Sequence, residues 1–196
     1  ILPAPVPLAK SDGLELGGGA TLSLGVGEDC RFSEAEATDT GFHEVTCSPA
    51  AIVLPDLTHW GLVPIHDQLA VGWTLAGGMG SPGLVGGAVG RLDLSRSEWV
   101  FIGPQVELGM AWGALGLPAS VQVGDRLWLY THPSMGYRMN GMVRAPVGLA
   151  LDVGGMRLDM EAGLAMSMMQ GTYTRYDSME GSRMWVGAGL SRRLGR

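Results

Sequence analysis

The feature that most limits this chain is a two-residue alternation of side-chain character that recurs in segment after segment and never condenses into a long apolar run. Met156, Leu158, Met160, Ala162, Leu164, Met166 and Met168 alternate with Arg157, Asp159, Glu161, Gly163, Ala165 and Ser167. A period of two marks β-strands with two chemically distinct faces. No stretch approaches the roughly 20 apolar residues that a membrane-spanning helix requires. An all-β fold is therefore expected, and the remaining question is which face meets the solvent.

The same pattern places Leu22, Leu24 and Val26 on a first strand, and Leu69, Val71, Trp73 and Leu75 on a second. Residues 84–94 form a third segment. In the fourth, Val106, Leu108, Met110 and Trp112 oppose Gln105, Glu107, Gly109 and Ala111. Gly103-Pro104 interrupts it, and a bulge there would bring Trp99 and Phe101 into the outward set. Trp99 and Trp112 would then lie about 33 Å apart, taking ~3.3 Å per residue and a strand tilt of ~40°. A fifth segment runs through SVQVGDRLWLY, with Asp125 breaking its pattern. Val147, Leu149, Leu151 and Val153 mark a sixth, and Gly154-Gly155 is a hairpin signal leading to the seventh. Met184, Val186, Ala188 and Leu190 complete an eighth.

The polar parity decides between a soluble and a membrane barrel. A soluble barrel buries its apolar face and shows water a face rich in Lys, Glu and Thr. Here the second face is mostly Gly, Ala and Ser, the chain has one Lys, and charged residues reach only 16%, against the roughly 25% usual in soluble domains. The 32 glycines are likewise far above the ~7% background. These properties fit a closed, antiparallel up-and-down transmembrane β-barrel of about eight strands, with apolar faces toward lipid and small or polar faces inside. On this basis Leu108, Met110, Leu149, Leu151, Leu158, Met160 and Leu164 are expected to face lipid, and Trp73, Trp99 and Trp112 to mark the interfaces. Glu107, Asp152, Arg157, Asp159 and Glu161 would form a lumen ion-pair network, with Arg91 or Arg126 as further cations, because charges in low dielectric must be paired.

Outside the strands, residues 1–18 carry Pro3, Pro5 and Pro7 and read as an extended arm ahead of a barrel over 19–196. An interval at about 28–67 reads as a long acidic loop containing Cys30 and Cys47, an even pair expected to form a disulfide in an oxidising compartment. The start at Ile1 agrees with removal of a signal peptide. Net charge of −6 argues against nucleic acid, since no basic stripe is present to neutralise phosphates.

Three groups of residues could carry chemistry. His132 and Ser134, with Glu161 as orienting acid, could be drawn as a nucleophilic site, but a loop His and a turn Ser is the plainer reading. Cys30, His43 and Cys47 could supply zinc ligands, and Glu28, Asp29, Glu34, Glu36 and Asp39 calcium ligands, although the spacing is not that of a calcium loop. The expectation is no catalytic residue, no metal and no cofactor.

The alternation in LAVGWTLAG, VELGMAWG, VGLALDVGGMRLDMEAGLAMSMM and MWVGAGLSRRL resembles that of the small eight-stranded outer-membrane barrels of the OmpA, OmpX and OmpW kind. The resemblance implies an outer-membrane location, a periplasmic N-terminus, long loops outside and short turns inside. Such chains usually end on an aromatic residue, whereas this one ends Leu194-Gly195-Arg196. The functional expectation is a structural, anchoring or interaction component of the bacterial envelope. Its partners would be the bilayer and a protein held through the arm or loops. The alternatives are a narrow pore for small solutes, a membrane-embedded lipid hydrolase, and a secreted soluble barrel binding a small apolar ligand.

Overall fold

The computed structural model describes residues 13–32, 45–78, 85–95, 97–109, 112–138, 140–167 and 182–195. All regular structure among them is β. The strands are β1 (Leu14–Phe32), β2 (Val45–His66), β3 (Leu69–Gly78), β4 (Val85–Leu92), β5 (Val100–Ile102), β6 (Gln105–Gly109) and β7 (Gly113–Gly116). They continue as β8 (Ala119–Val123), β9 (Leu127–Thr131), β10 (Ser134–Arg138), β11 (Asn140–Val153), β12 (Met156–Ser167) and β13 (Ser182–Leu194).

Three pairs join end to end, β5 with β6, β7 with β8 and β9 with β10, so the wall has ten staves. Each stave is antiparallel to the one before it, and β1 pairs with β13 from Leu14↔Leu194 to Gly25↔Arg183, which closes the sheet into a barrel. Closure leaves no edge to satisfy, the condition for a sheet to cross hydrocarbon.

The three breaks fall at Gly103-Pro104, Leu117-Pro118 and His132-Pro133, side by side on adjacent staves. Proline has no N–H to give to a ladder, but its carbonyl still accepts. Leu92 N–H donates to the Pro104 carbonyl at 3.0 Å, Gly103 N–H to Pro118 at 3.3 Å and Leu117 N–H to Pro133 at 2.9 Å. On the next stave the Thr131 hydroxyl donates to the Pro146 carbonyl at 2.6 Å. A line of four prolines thus crosses the wall, each carbonyl engaged by the preceding stave.

Many of the glycines have a shared use. Gly17↔Trp60, Gly61↔Trp73, Gly148↔Tyr130 and Gly163↔Trp185 are directly opposed across neighbouring strands. In each pair the aromatic ring lies where a β-carbon on the glycine would be. Glycine therefore lets a large ring lie flat against the wall, covering backbone that would otherwise be bare.

The wall has ten staves, not about eight, for two reasons. The interval at 28–67 read as a loop contains β2, whose Pro49, Pro55 and Pro64 mask its strand character. The single segment read through SVQVGDRLWLY is a hairpin: Gly124 takes a left-handed φ of +71° and Gly124, Asp125 and Arg126 form the turn between β8 and β9. The sequence THPSMGYRMNGMVRAP, read as a loop, supplies β10 and part of β11. The N-terminal arm is also shorter than 1–18, since β1 begins at Leu14. Residues 1–12 and the acidic stretch 33–44, with His43, Glu34, Glu36 and Asp39, lie outside the described residues. At Gly154-Gly155 the φ values of +57° and +85° are those a type I′ hairpin needs.

Candidate functional site: the barrel interior

The outward face is apolar. Leu108, Leu149, Leu151, Leu158, Met160 and Leu164 are all exposed on the outer wall. The Met110 side chain is outside the described residues. Trp73 also points outward, stacked with His59 at a centroid distance of 6.4 Å and lying over Gly61. Trp99 is exposed beside β5.

Two aromatic assignments are corrected. Phe101 is fully buried inside the barrel, because the break at Gly103-Pro104 does not shift parity: Val100 and Ile102 face outward with Val106 and Leu108. Trp112 does not join the outward set. It folds back over the inward-facing glycines Gly87 and Gly109, and its Nε1 is buried.

The inward face carries a layered polar network. Toward the tight turns, Arg157 Nε donates to Asp152 Oδ1 at 2.9 Å and its Nη1 lies 3.5 Å from Glu15 Oε1. Glu15 also accepts from Ser191 Oγ at 3.0 Å, and Arg193 Nε stands 3.9 Å from its other oxygen. The second Asp152 oxygen accepts from Trp128 Nε1 at 3.2 Å. Across the barrel, Arg91 Nε donates to Gln105 Oε1 at 2.8 Å, and Gln105 Nε2 donates to Glu107 Oε1 at 3.0 Å. The Arg91 guanidinium also sits 5.7 Å from the centre of the Phe101 ring, within cation–π range.

Asp159 is fully buried, and neither carboxylate oxygen has a hydrogen-bond partner among the described residues. Arg157 and Arg91 supply its opposing charge. Glu161, one turn of the pleat further along β12, accepts from Trp185 Nε1 at 2.9 Å.

The five residues expected to share the interior are therefore all on inward parity, and Arg157 and Asp152 form a direct ion pair. Glu107 belongs to a separate cluster with Arg91. Arg126 lies in the exposed β8–β9 turn, where its carbonyl accepts from Asp152 N–H at 2.8 Å. Sequence reasoning missed Glu15, placed within the arm, and the large inward rings of Trp60, Phe101, Trp128 and Tyr130. Their signal was the glycine opposite Trp60 and Tyr130 and, for Phe101, the arginine on the preceding stave; Trp128 faces Gln122 and Ala150 and had no such signal.

The hydrolase constellation does not assemble. His132 is buried against Gly116, its Nε2 has no hydrogen-bond partner, and Glu161 is held by Trp185. Cys30 and Cys47 are directly opposed in the β1–β2 register. No cluster of three metal-ligating residues exists among the described residues.

A closed meander with an apolar exterior and an ionic interior defines the class: a transmembrane β-barrel of the outer-membrane kind. The open apolar exterior rules out the secreted soluble barrel, whose apolar face would be inside. No protein-family model and no curated protein matches the sequence. Among solved structures, the translocator domain of the autotransporter NalP from Neisseria meningitidis is similar at a TM-score of 0.51 and 13% identity, covering 94% of this chain and 90% of that one. The NanC porin is similar at 0.48 and 12%, covering 92% and 100%. The KdgM porin is similar at 0.46 and 10%, covering 88% and 97%. These likenesses concern the fold.

Proposed function

We propose that this barrel is closed to solutes and serves the envelope as an anchoring and interaction component, its contacts made through the extramembrane segments. The observation that carries this reading is the interior itself. Trp60, Arg91, Phe101, Gln105 and Asp159 are fully buried inside the wall. Ten staves give a wider interior than eight, since diameter grows with strand number, and large side chains fill the added space. Arg91 is bonded to Gln105 and Gln105 to Glu107, and beside them Arg157 is bonded to Asp152 and paired with Glu15 on a different stave.

Reconstitution in planar bilayers tests the proposal. The native barrel is expected to give no conductance steps, and the double substitution Arg91→Ala with Phe101→Ala to give them by emptying one layer of the plug. Steps from the native protein would replace this reading with a narrow pore. In the same reading lipid A from expressing cells stays unaltered, and removal of residues 1–12 releases any co-purifying protein while leaving an assembled barrel.

A further inference from the structure

We propose that the outer wall carries a seat for a single phospholipid acyl chain, midway along the strands. A barrel exterior is convex, yet a concavity of about 890 Å³ crosses β5, β8, β9, β11, β12 and β13, within the ~300–1,000 Å³ range of ligand pockets. Register explains it. Ile102↔Ala119, Ala119↔Thr131, Thr131↔Val147, Val147↔Ala162 and Ala162↔Val186 place one outward row across six strands. Three of its members, Ala119, Thr131 and Ala162, are small. In the next row toward the tight turns, from Val100 to Ala188, the long side chains of Leu129, Leu149 and Met160 form a raised lip at its centre.

The chemistry of the lining selects the occupant. The outward side chains are apolar apart from Thr131, and its hydroxyl is already given to the Pro146 carbonyl. No group remains to bind a headgroup or a peptide N–H. An extended polypeptide laid here would hold its amides unsatisfied in hydrocarbon, at several kcal/mol each by the usual cost of burying them unpaired. A second barrel presents a convex wall that touches a concavity only at its rim. A flexible hydrocarbon chain has neither defect. Val147 and Ala162 stand midway along β11 and β12, so the seat lies at the depth of acyl chains rather than of headgroups.

The test is electron spin resonance of the folded barrel in bilayers containing phosphatidylcholine with a nitroxide on its acyl chain. The native barrel is expected to hold a slowly exchanging component beyond the ordinary belt of boundary lipid. Ala119→Leu with Ala162→Leu fills the seat and should abolish that component, and Ala162→Val alone should reduce it. Ala88→Leu, on the outer face of β4, should leave it unchanged. Retention of the component by the filled variant, or no such component in the native barrel, overturns the proposal. A doubled mass in detergent without a slow lipid component overturns it in favour of a second copy. Preferential retention of lipopolysaccharide over phospholipid overturns the assignment to a phospholipid chain. If the double variant does not fold, the graded response of Ala162→Val against Ala88→Leu decides.

Discussion

Glu15 and Arg157 meet at 3.5 Å inside the barrel although 142 residues separate them in the chain. Glu15 is on the first stave, Arg157 on the ninth, and Ser191 and Arg193 on the tenth add to the same carboxylate. The ion pair therefore ties together the strands on both sides of the closure. Removing one partner of a buried pair typically costs about 3–5 kcal/mol. Glu15→Ala should lower unfolding stability by that order in denaturant titrations followed by tryptophan emission. Arg157→Met with Glu15→Leu should cost less than the sum of the single changes, and strict additivity in that cycle would show that the two residues are not coupled.

Gly163 and Trp185 give a second prediction. A β-carbon at Gly163 would occupy the Trp185 ring, so Gly163→Val should displace the indole, break its bond to Glu161 and cost roughly 1–3 kcal/mol as overpacking. Adding Trp185→Ala should recover part of that loss. Heat-modifiable migration on gels, calibrated against unfolding curves, reads both changes, and no recovery in the double variant would reject the steric account.

The proline line predicts a pattern of hydrogen exchange. Leu92, Leu117 and Gly103 lie at strand ends or in gaps, where loop-like exchange would be the simple expectation, yet each N–H donates to a proline carbonyl on the neighbouring stave. These amides should exchange as slowly as those of adjacent strand interiors. Exchange at the rate of the β8–β9 turn would mean that the line is open to water.

The facing positions of Cys30 and Cys47 suit a disulfide. Antiparallel partners have Cα atoms about 4.5–5.5 Å apart, inside the roughly 4.4–6.8 Å a disulfide spans. Protein folded under oxidising conditions should resist thiol alkylation at both positions until reduced, and reduction should cost about 3 kcal/mol by loop entropy. Alkylation of either thiol before reduction would show that the bridge is absent.

Parity was legible in the sequence wherever a strand ran uninterrupted. The β12 run from Met156 to Ser167 and the outward positions Leu149, Leu151 and Leu164 follow directly from alternation. Strand number was not, because proline acts in two ways here. It sits within β2, where Pro49, Pro55 and Pro64 made a strand look like a loop, and it breaks β5 from β6 without ending the stave. The fifth segment hid its turn because Val123 and Leu127 keep one parity across Gly124, Asp125 and Arg126, so the pattern reads straight through a reversal. The interior was misjudged as small for a related reason. Glycine on one strand signals a large ring on its neighbour, and that relation appears only once register is known.

Pairing of the first stave with the last has a consequence for the order in which the molecule can form. Every other wall contact among the described residues joins staves adjacent in sequence, whereas β1 and β13 enclose nearly the whole chain, and loop-closure entropy makes such a contact slow to reach. Until it forms, both edges hold unpaired amides that hydrocarbon cannot satisfy. The meander must therefore be carried to the bilayer with its first edge protected, and the arrival of β13, bearing Ser191 and Arg193 for Glu15, completes the wall and the inner lock in one event.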